Sequence, residues 1–154
     1  NFYFEDRGSG NEIEIGPLIC YEDVFPNIAR ETVRAGADWL FVATNNSWYG
    51  EEAGAYQHAN HAVIRAVETR RPVLRSGNGG WSGWIDEWGN VRREVVDDRG
   101  SIYFQGGEVV PIVSDLRFQD HLTFYVRWGN WFVWACITIV MIELIGRLLH
   151  RQNS

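Results

Sequence analysis

Cys20 is the residue of this chain best placed to act as a nucleophile. It follows the apolar run Pro17-Leu18-Ile19, precedes Tyr21-Glu22-Asp23, and stands six residues before Pro26, where a helical stretch begins. A strand-to-helix turn lifts a side chain off the sheet and surrounds it with backbone N–H groups that can cradle an oxyanion. Helix N-termini favour a thiolate, whereas the two carboxylates beside Cys20 oppose one. The other reading is a small buried hydrophobe, the usual state of an unpaired cysteine. Glu22 and Asp23 are either an acid/base pair or charges that complement a helix N-terminus. His58 and His61 stand three apart on a helix, a spacing that could hold a metal, but no HExxH pattern or nearby Cys or acidic set accompanies them. Asn45 and Asn46 suit either capping or substrate contact. Gly77–Gly83 (GNGGWSG) lacks the Lys-Ser/Thr ending of a phosphate loop and reads as backbone brought close to a pocket. Arg65, Glu68, Arg70 and Arg71 form either a solvated face or a buried ion-pair network, and the alanines among them favour the second.

The elements that must position these residues alternate. Glu12–Cys20 alternates and then turns apolar, predicting a strand that runs into a buried position. Pro26 opens a helix over Asn27–Ala35, which Gly36 closes. Trp39–Thr44 is a short continuous apolar run, as in a strand covered on both faces. After the turn-rich Asn45–Gly54, the stretch Ala55–Arg70 places Ala59, Ala62, Val63, Ala66 and Val67 on one helical face. Val73–Ser76 predicts another strand. Ser82–Asp86 and Val91–Val95 flank the turn EWGN and predict a hairpin, and Gly100–Val110 predicts one or two strands more. Strands alternating with helices, then a hairpin, indicate a layered α/β domain.

The composition bounds what such a domain can do. All 14 basic residues among the 154 are arginine; against 20 acids they give a net charge of −6. An acidic chain with no basic cluster argues against a nucleic-acid partner. Two cysteines, Cys20 and Cys136, exclude a disulfide-stapled scaffold or a Cys-rich zinc module. The charge divides at residue 126, with −8 before it and +2 after it. From Trp131 to Leu149 the only charges in 19 residues are Glu143 and Arg147. About 20 apolar residues suffice to cross a bilayer. Trp128, Trp131 and Trp134 crowd one end like an interfacial belt, while Arg147, His150 and Arg151 mark the other as cytoplasmic. The alternative, an amphipathic helix docked on the domain, fits poorly, because residues 131–142 are apolar all round. The chain opens without methionine, so it reads as part of a longer protein.

Several phrases together resemble the nitrilase, or carbon–nitrogen hydrolase, superfamily, and more narrowly its apolipoprotein N-acyltransferase branch. Ile19-Cys20-Tyr21-Glu22 followed by Phe25-Pro26 looks like the nucleophile segment. Gly36-Ala37-Asp38 leading to Asn45-Asn46-Ser47-Trp48-Tyr49-Gly50 is similar to the branch's strand and loop. Gln57-His58 and Arg65 through Pro72 resemble its next helix, and Arg75 through Ser82, with Ile85-Asp86 and Gly89, its hairpin. Thr123 through Trp131 is similar to the lead-in to its last transmembrane helix. Asn46 departs from the branch's usual Asp, and Asn78-Gly79-Gly80 from its usual Asn-Thr-Gly.

The resemblance implies the C-terminal part of a nitrilase-like α-β-β-α sandwich followed by one transmembrane helix. It places a partial catalytic domain at residues 1–126, the span at 127–150 and a cytoplasmic tail at 151–154. It implies acyl transfer from a phospholipid donor, through a thioester on Cys20, to the N-terminal amine of a diacylglyceryl-cysteine lipoprotein. The site would lie on the periplasmic side of a bacterial inner membrane and use no metal or organic cofactor. Glu22 would support proton traffic or orient a lysine. Tyr21, Asn45, Trp48 and Tyr49 would contact substrate. The family's general-base Glu and its Lys precede the cysteine segment, and this sequence contains no lysine, so the segment alone is expected to be inactive. A membrane-tethered amidase or hydrolase, or a degenerate non-catalytic domain, are the competing expectations.

Overall fold

The computed structural model describes residues 2–5, 12–51, 53–113, 115–118 and 121–152. Six strands form one mixed sheet in sequence order: β1 (Phe2–Glu5), β2 (Glu12–Ile19), β3 (Trp39–Asn45), β4 (Val73–Asn78), β5 (Gly83–Ile85) and β6 (Val91–Glu94). The pairs β2–β3 and β3–β4 are parallel, while β1, β5 and β6 join antiparallel. Helix α1 (Pro26–Arg34) crosses from β2 to β3, and α2 (Gly54–Thr69) from β3 to β4. Both crossovers advance in one direction, and right-handed connections therefore place both helices on one face of the sheet, where they touch each other.

That face holds the core. Alternation along the strands turns Leu18, Leu40, Val42 and Val73 toward the helices, and all four are fully buried with Ala29, Val33, Ala62 and Ala66. The small residues on α2 let it lie close to the sheet. The opposite face is less covered: Pro17, Phe41, Ala43 and Leu74 are half-buried and Ile19 is exposed.

The hairpin forms as the turn residues predict. Asp86 binds the backbone N–H groups of Trp88 and Asn90, and Gly89 takes φ +84°. Gly100–Val110 differs from expectation, for it contains no strand and runs as irregular backbone. Its apolar residues favour a strand, but among the described residues no strand lies alongside to pair with it. Val67 also differs. It is 40% exposed, and polar His58, Arg65 and Thr69 share the buried face of α2 with the alanines.

Helix α3 (Phe124–Trp128) ties the domain to the C-terminal helix. The Thr123 hydroxyl accepts from Val126 N at 3.0 Å and donates to Glu68 O at 2.6 Å, and Val126 is fully buried. Gly129, at φ +58°, then turns the chain into α4 (Trp131–Gln152). At 1.5 Å per residue α4 is about 33 Å long, enough to cross a bilayer. Its segment Trp131–His150 has a mean hydropathy of 2.0, and none of it is buried against the domain. Phe124 packs edge-on to Trp131 at 5.1 Å, beside exposed Trp128 and Phe132. Glu143 and Arg147 pair along one side of this helix, a candidate transmembrane span.

Candidate active site

Cys20 occupies the turn its sequence position suggests. Strand β2 ends at Ile19, a 3₁₀ turn covers Cys20–Val24, and Pro26 begins α1 with no N–H to lose. Cys20 itself sits at φ +53°, a left-handed conformation shared among the described non-glycine residues only by Arg70, the C-cap of α2. Such a position costs a side-chain-bearing residue about 1–2 kcal/mol. It is sustained here because Glu22 Oε2 accepts from Ile19 N at 2.7 Å and Phe25 N donates to Glu22 O at 3.2 Å. Glu22 thus braces the turn that presents Cys20.

Beneath the turn lies a buried polar chain. Asp23, Asn46, His58 and Arg75 are each at most 3% exposed, and Thr44 9%. Thr44 Oγ1 stands 3.4 Å from Cys20 Sγ and 3.0 Å from Asn46 Oδ1. His58 bridges Asn46 at 3.1 Å through Nδ1 and Asp23 at 2.9 Å through Nε2. The other oxygen of Asp23 accepts from Arg75 Nη1. Arg65 donates to the carbonyls of Asp23 and Val24 at 3.3 and 3.2 Å and pairs with Glu68 at 2.9 Å. Burial raises the Glu68 carboxyl above its ordinary value, with Arg65 opposing. Gly80 makes room for this arrangement, since a Cβ there would lie 2.8 Å from the Cβ of Asn46. The Gly-rich loop is therefore the close backbone approach its composition predicts.

The mouth above Cys20 is aromatic. Tyr21 stacks on His58 at 4.8 Å and meets Trp48 edge-on at 6.2 Å, while Trp48 packs against Tyr49 at 5.6 Å. Tyr21 and Tyr49 share a hydroxyl–hydroxyl hydrogen bond. Burial, and then that bond, push the Tyr49 phenol up to about 12. Trp48 is 70% exposed and forms an apolar shelf against Tyr21 and Tyr49. A shallow cavity of roughly 200 Å³ adjoins it, lined by Tyr21, Tyr49, Gly54, Gln57, His58 and His61. Asn45 stands at the loop's edge, its Oδ1 accepting from Ser47 and Asn78.

Of the residues singled out from the sequence, Tyr21, Trp48 and Tyr49 form one aromatic cluster next to the Cys20 turn that Glu22 braces, whereas Asn45 binds Ser47 and Asn78 at the end of β3. His58 points inward to Asn46 and Asp23 rather than joining His61 as a ligand pair. Arg65 belongs to the buried network, while Arg71, also buried, lies apart from it and binds Ala37 O at 2.9 Å and Phe118 O. Arg70 caps α2 and lies 4.4 Å over Trp88. Residue-type reasoning passed over Thr44 and Arg75. The signal for Arg75 was present: a charge alternating with Val73 in a central strand must have a buried partner.

Burial, then Arg75, lower the His58 imidazole below its ordinary value of 6.5, with Asp23 opposing. Above that value both folded and unfolded chains hold a neutral ring. As pH falls through 6.5 the unfolded chain takes up the proton first, so stability drops until the folded value is passed. Melting temperatures between pH 5 and 7.5 should fall toward acid, with a shallower slope in His58→Gln. Equal slopes would remove His58 as the source.

Residues 2–103 match the carbon–nitrogen hydrolase family. Among curated proteins, the chain is 37% identical over 149 residues to the apolipoprotein N-acyltransferase of Geobacter metallireducens, covering 97% of this chain and 26% of that protein. It is 32% identical over 165 residues to that of Thermotoga maritima, covering 99% and 30%. The chain thus spans little more than a quarter of the length of these relatives. Among solved structures, Saccharomyces cerevisiae Nit3, a member of branch 10 of the nitrilase superfamily, aligns with a TM-score of 0.47 and 22% identity, covering 61% of this chain and 36% of that one.

Proposed function

The chain belongs to the carbon–nitrogen hydrolase family, and from that premise we propose that it carries the nucleophile part of an N-acyltransferase acting at a membrane. The observation that carries this reading is Cys20 held at φ +53° on a strand-to-helix turn, beside an apolar shelf and in one chain with a 20-residue apolar helix. The names of the relatives supply the transferred group and its acceptor.

In the proposed reaction the Cys20 thiolate attacks the ester carbonyl of a phospholipid. A C–S bond forms, and the lysophospholipid alkoxide departs with a proton. The amine of a diacylglyceryl-cysteine lipoprotein then attacks the thioester carbonyl. A C–N bond forms, the C–S bond breaks, the nitrogen gives up a proton, and the thiolate is restored. A thiolate suits both halves because it attacks well and leaves readily. Tyr21, Trp48 and Tyr49 are placed to lie along the acyl chain, and Asn45 to bind its polar end, while Glu22 keeps Cys20 presented. The general-base Glu and the Lys would come from residues preceding this segment, which makes the 154 residues inactive alone. Residues 1–126 would form part of the catalytic domain and 127–150 its anchor in the bacterial inner membrane. The domain would face the periplasm, and the Arg147, His150 and Arg151 end the cytoplasm.

The test uses the full-length protein and phospholipid carrying a labelled acyl chain. We expect hydroxylamine-labile label on the Cys20 peptide that passes to the amine of a diacylglyceryl-cysteine peptide. Release of the label as free fatty acid, with none on the amine, would make the protein a hydrolase. Absence of label from Cys20 would remove it as nucleophile.

A further inference from the structure

The buried chain under Cys20 contains a conflict of hydrogen-bond roles. The Thr44 hydroxyl has one proton and two neighbours that accept, Cys20 Sγ at 3.4 Å and Asn46 Oδ1 at 3.0 Å. Asn46 Oδ1 also faces His58 Nδ1, while the Asn46 amide nitrogen is buried with no hydrogen-bond partner. Oxygen and nitrogen of an amide are assigned from their partners. Exchanging the two satisfies the contacts to both Thr44 and His58. Asn46 Nδ2 then donates one hydrogen to Thr44 Oγ1 and the other to His58 Nδ1. Neutral His58 donates Nε2–H to Asp23 Oδ1, and Asp23 is held in turn by Arg75. With Asn46 donating to its oxygen, Thr44 keeps its proton for the sulfur of Cys20. An orphaned carbonyl oxygen at the far side of Asn46 is a milder defect than an orphaned N–H.

We propose that Thr44 is a further catalytic residue, whose hydroxyl donates to the Cys20 sulfur and is aimed there by the Asn46–His58–Asp23–Arg75 chain. The proposal deepens the acyl-transfer reading and rests on Cys20 being the nucleophile. A donor at this place stabilises the sulfur when it is anionic, before attack and again when the thioester is cleaved. It is supplied from β3, at the bottom of the site, so it leaves the upper side of the sulfur open to substrate. The other ionisable groups facing Cys20 are Glu22 and Asp23 of its own turn, Tyr49 after β3, His58 of α2 and Arg75 of β4. Arg75, already paired with Asp23, and Tyr49 act on the sulfur through charge at a distance, whereas the Thr44 hydroxyl makes a direct side-chain hydrogen bond to it.

Alkylation of Cys20 by iodoacetamide tests this without acyl transfer. In the full-length protein, the Cys20 peptide is quantified by mass spectrometry across pH 5–10, which separates it from Cys136. Thr44→Val keeps the shape and removes the donor. The midpoint of its alkylation profile is expected about one pH unit higher than wild type, with roughly tenfold slower alkylation at pH 7. Thr44→Ser restores a donor and should restore the wild-type profile. Thr44→Ala provides a second donor-free variant and should shift the midpoint the same way. Superimposable wild-type and donor-free profiles would overturn the proposal while leaving acyl transfer standing. A shifted profile in a protein that forms no thioester would uphold the donor and remove the acyl-transfer reading.

Discussion

Replacing Asp23 with alanine is expected to destabilise the domain by about 3–5 kcal/mol, the scale of breaking one side of a buried ion pair. That is a large share of the roughly 5–15 kcal/mol that holds an ordinary domain together. Asp23 is fully buried and both its oxygens are engaged, one by His58 and one by Arg75. Arg75 is 1% exposed, and its Nε and Nη2 have no hydrogen-bond partner in the structure. Burial already pushes its guanidinium below the ordinary value, against the pull of Asp23. Removing the carboxylate leaves a cation in a pocket of low polarity with nothing to offset its lost hydration. The damage should be relational. Asp23→Leu combined with Arg75→Met removes both charges and is expected to recover at least about half the loss. Thermal or denaturant unfolding of the two single variants and the pair measures this coupling. Strictly additive losses would show that Asp23 does not act through Arg75.

This network also shows which parts of the site were legible in the sequence. The Cys20 turn was readable because its determinants are local: an apolar strand, two acids, then Pro at a helix start. The order of strands and helices from β2 to β6 was readable for the same reason, since periodicity and turn residues are properties of neighbours, while the short β1 was not anticipated. The partners of Asp23 were not, for they lie 35 and 52 positions away and meet only when β4 and α2 pack beside the turn. The role of His58 was not legible either: its spacing from His61 raised only a metal pair that the absence of further ligands argued against, whereas the helix turns His58 into the domain and leaves His61 half-buried at the surface. Gly100–Val110 shows the converse failure. Its residues favour strand locally, but β6 ends at Glu94 and no paired strand carries the sheet into this segment.

The conformation of Cys20 separates its catalytic value from its structural cost. On the proposed acyl-transfer reading, Cys20→Ala and Cys20→Gly should both abolish that activity in the full-length protein, with a loss of about 10⁴-fold or more, since each removes the sulfur on which the proposed thioester would form. Their stabilities should differ in a definite direction. Alanine keeps a Cβ and therefore keeps the strain of φ +53°, whereas glycine reaches that region freely. Elsewhere glycine is the poorer choice, because its unfolded chain has more freedom to lose, by about 0.5–1 kcal/mol. At this position the relief of about 1–2 kcal/mol outweighs that loss. Cys20→Gly is accordingly expected to melt above Cys20→Ala, by roughly 1 kcal/mol in unfolding free energy. The reverse order would mean that the turn carries no strain at Cys20 and that Glu22 and Phe25 hold an intrinsically comfortable loop. The expected order would mean that the fold accepts a strained residue at the turn where the proposed nucleophile stands. Sites selected for stability alone have no reason to keep such a residue, so the sign of this difference bears directly on function.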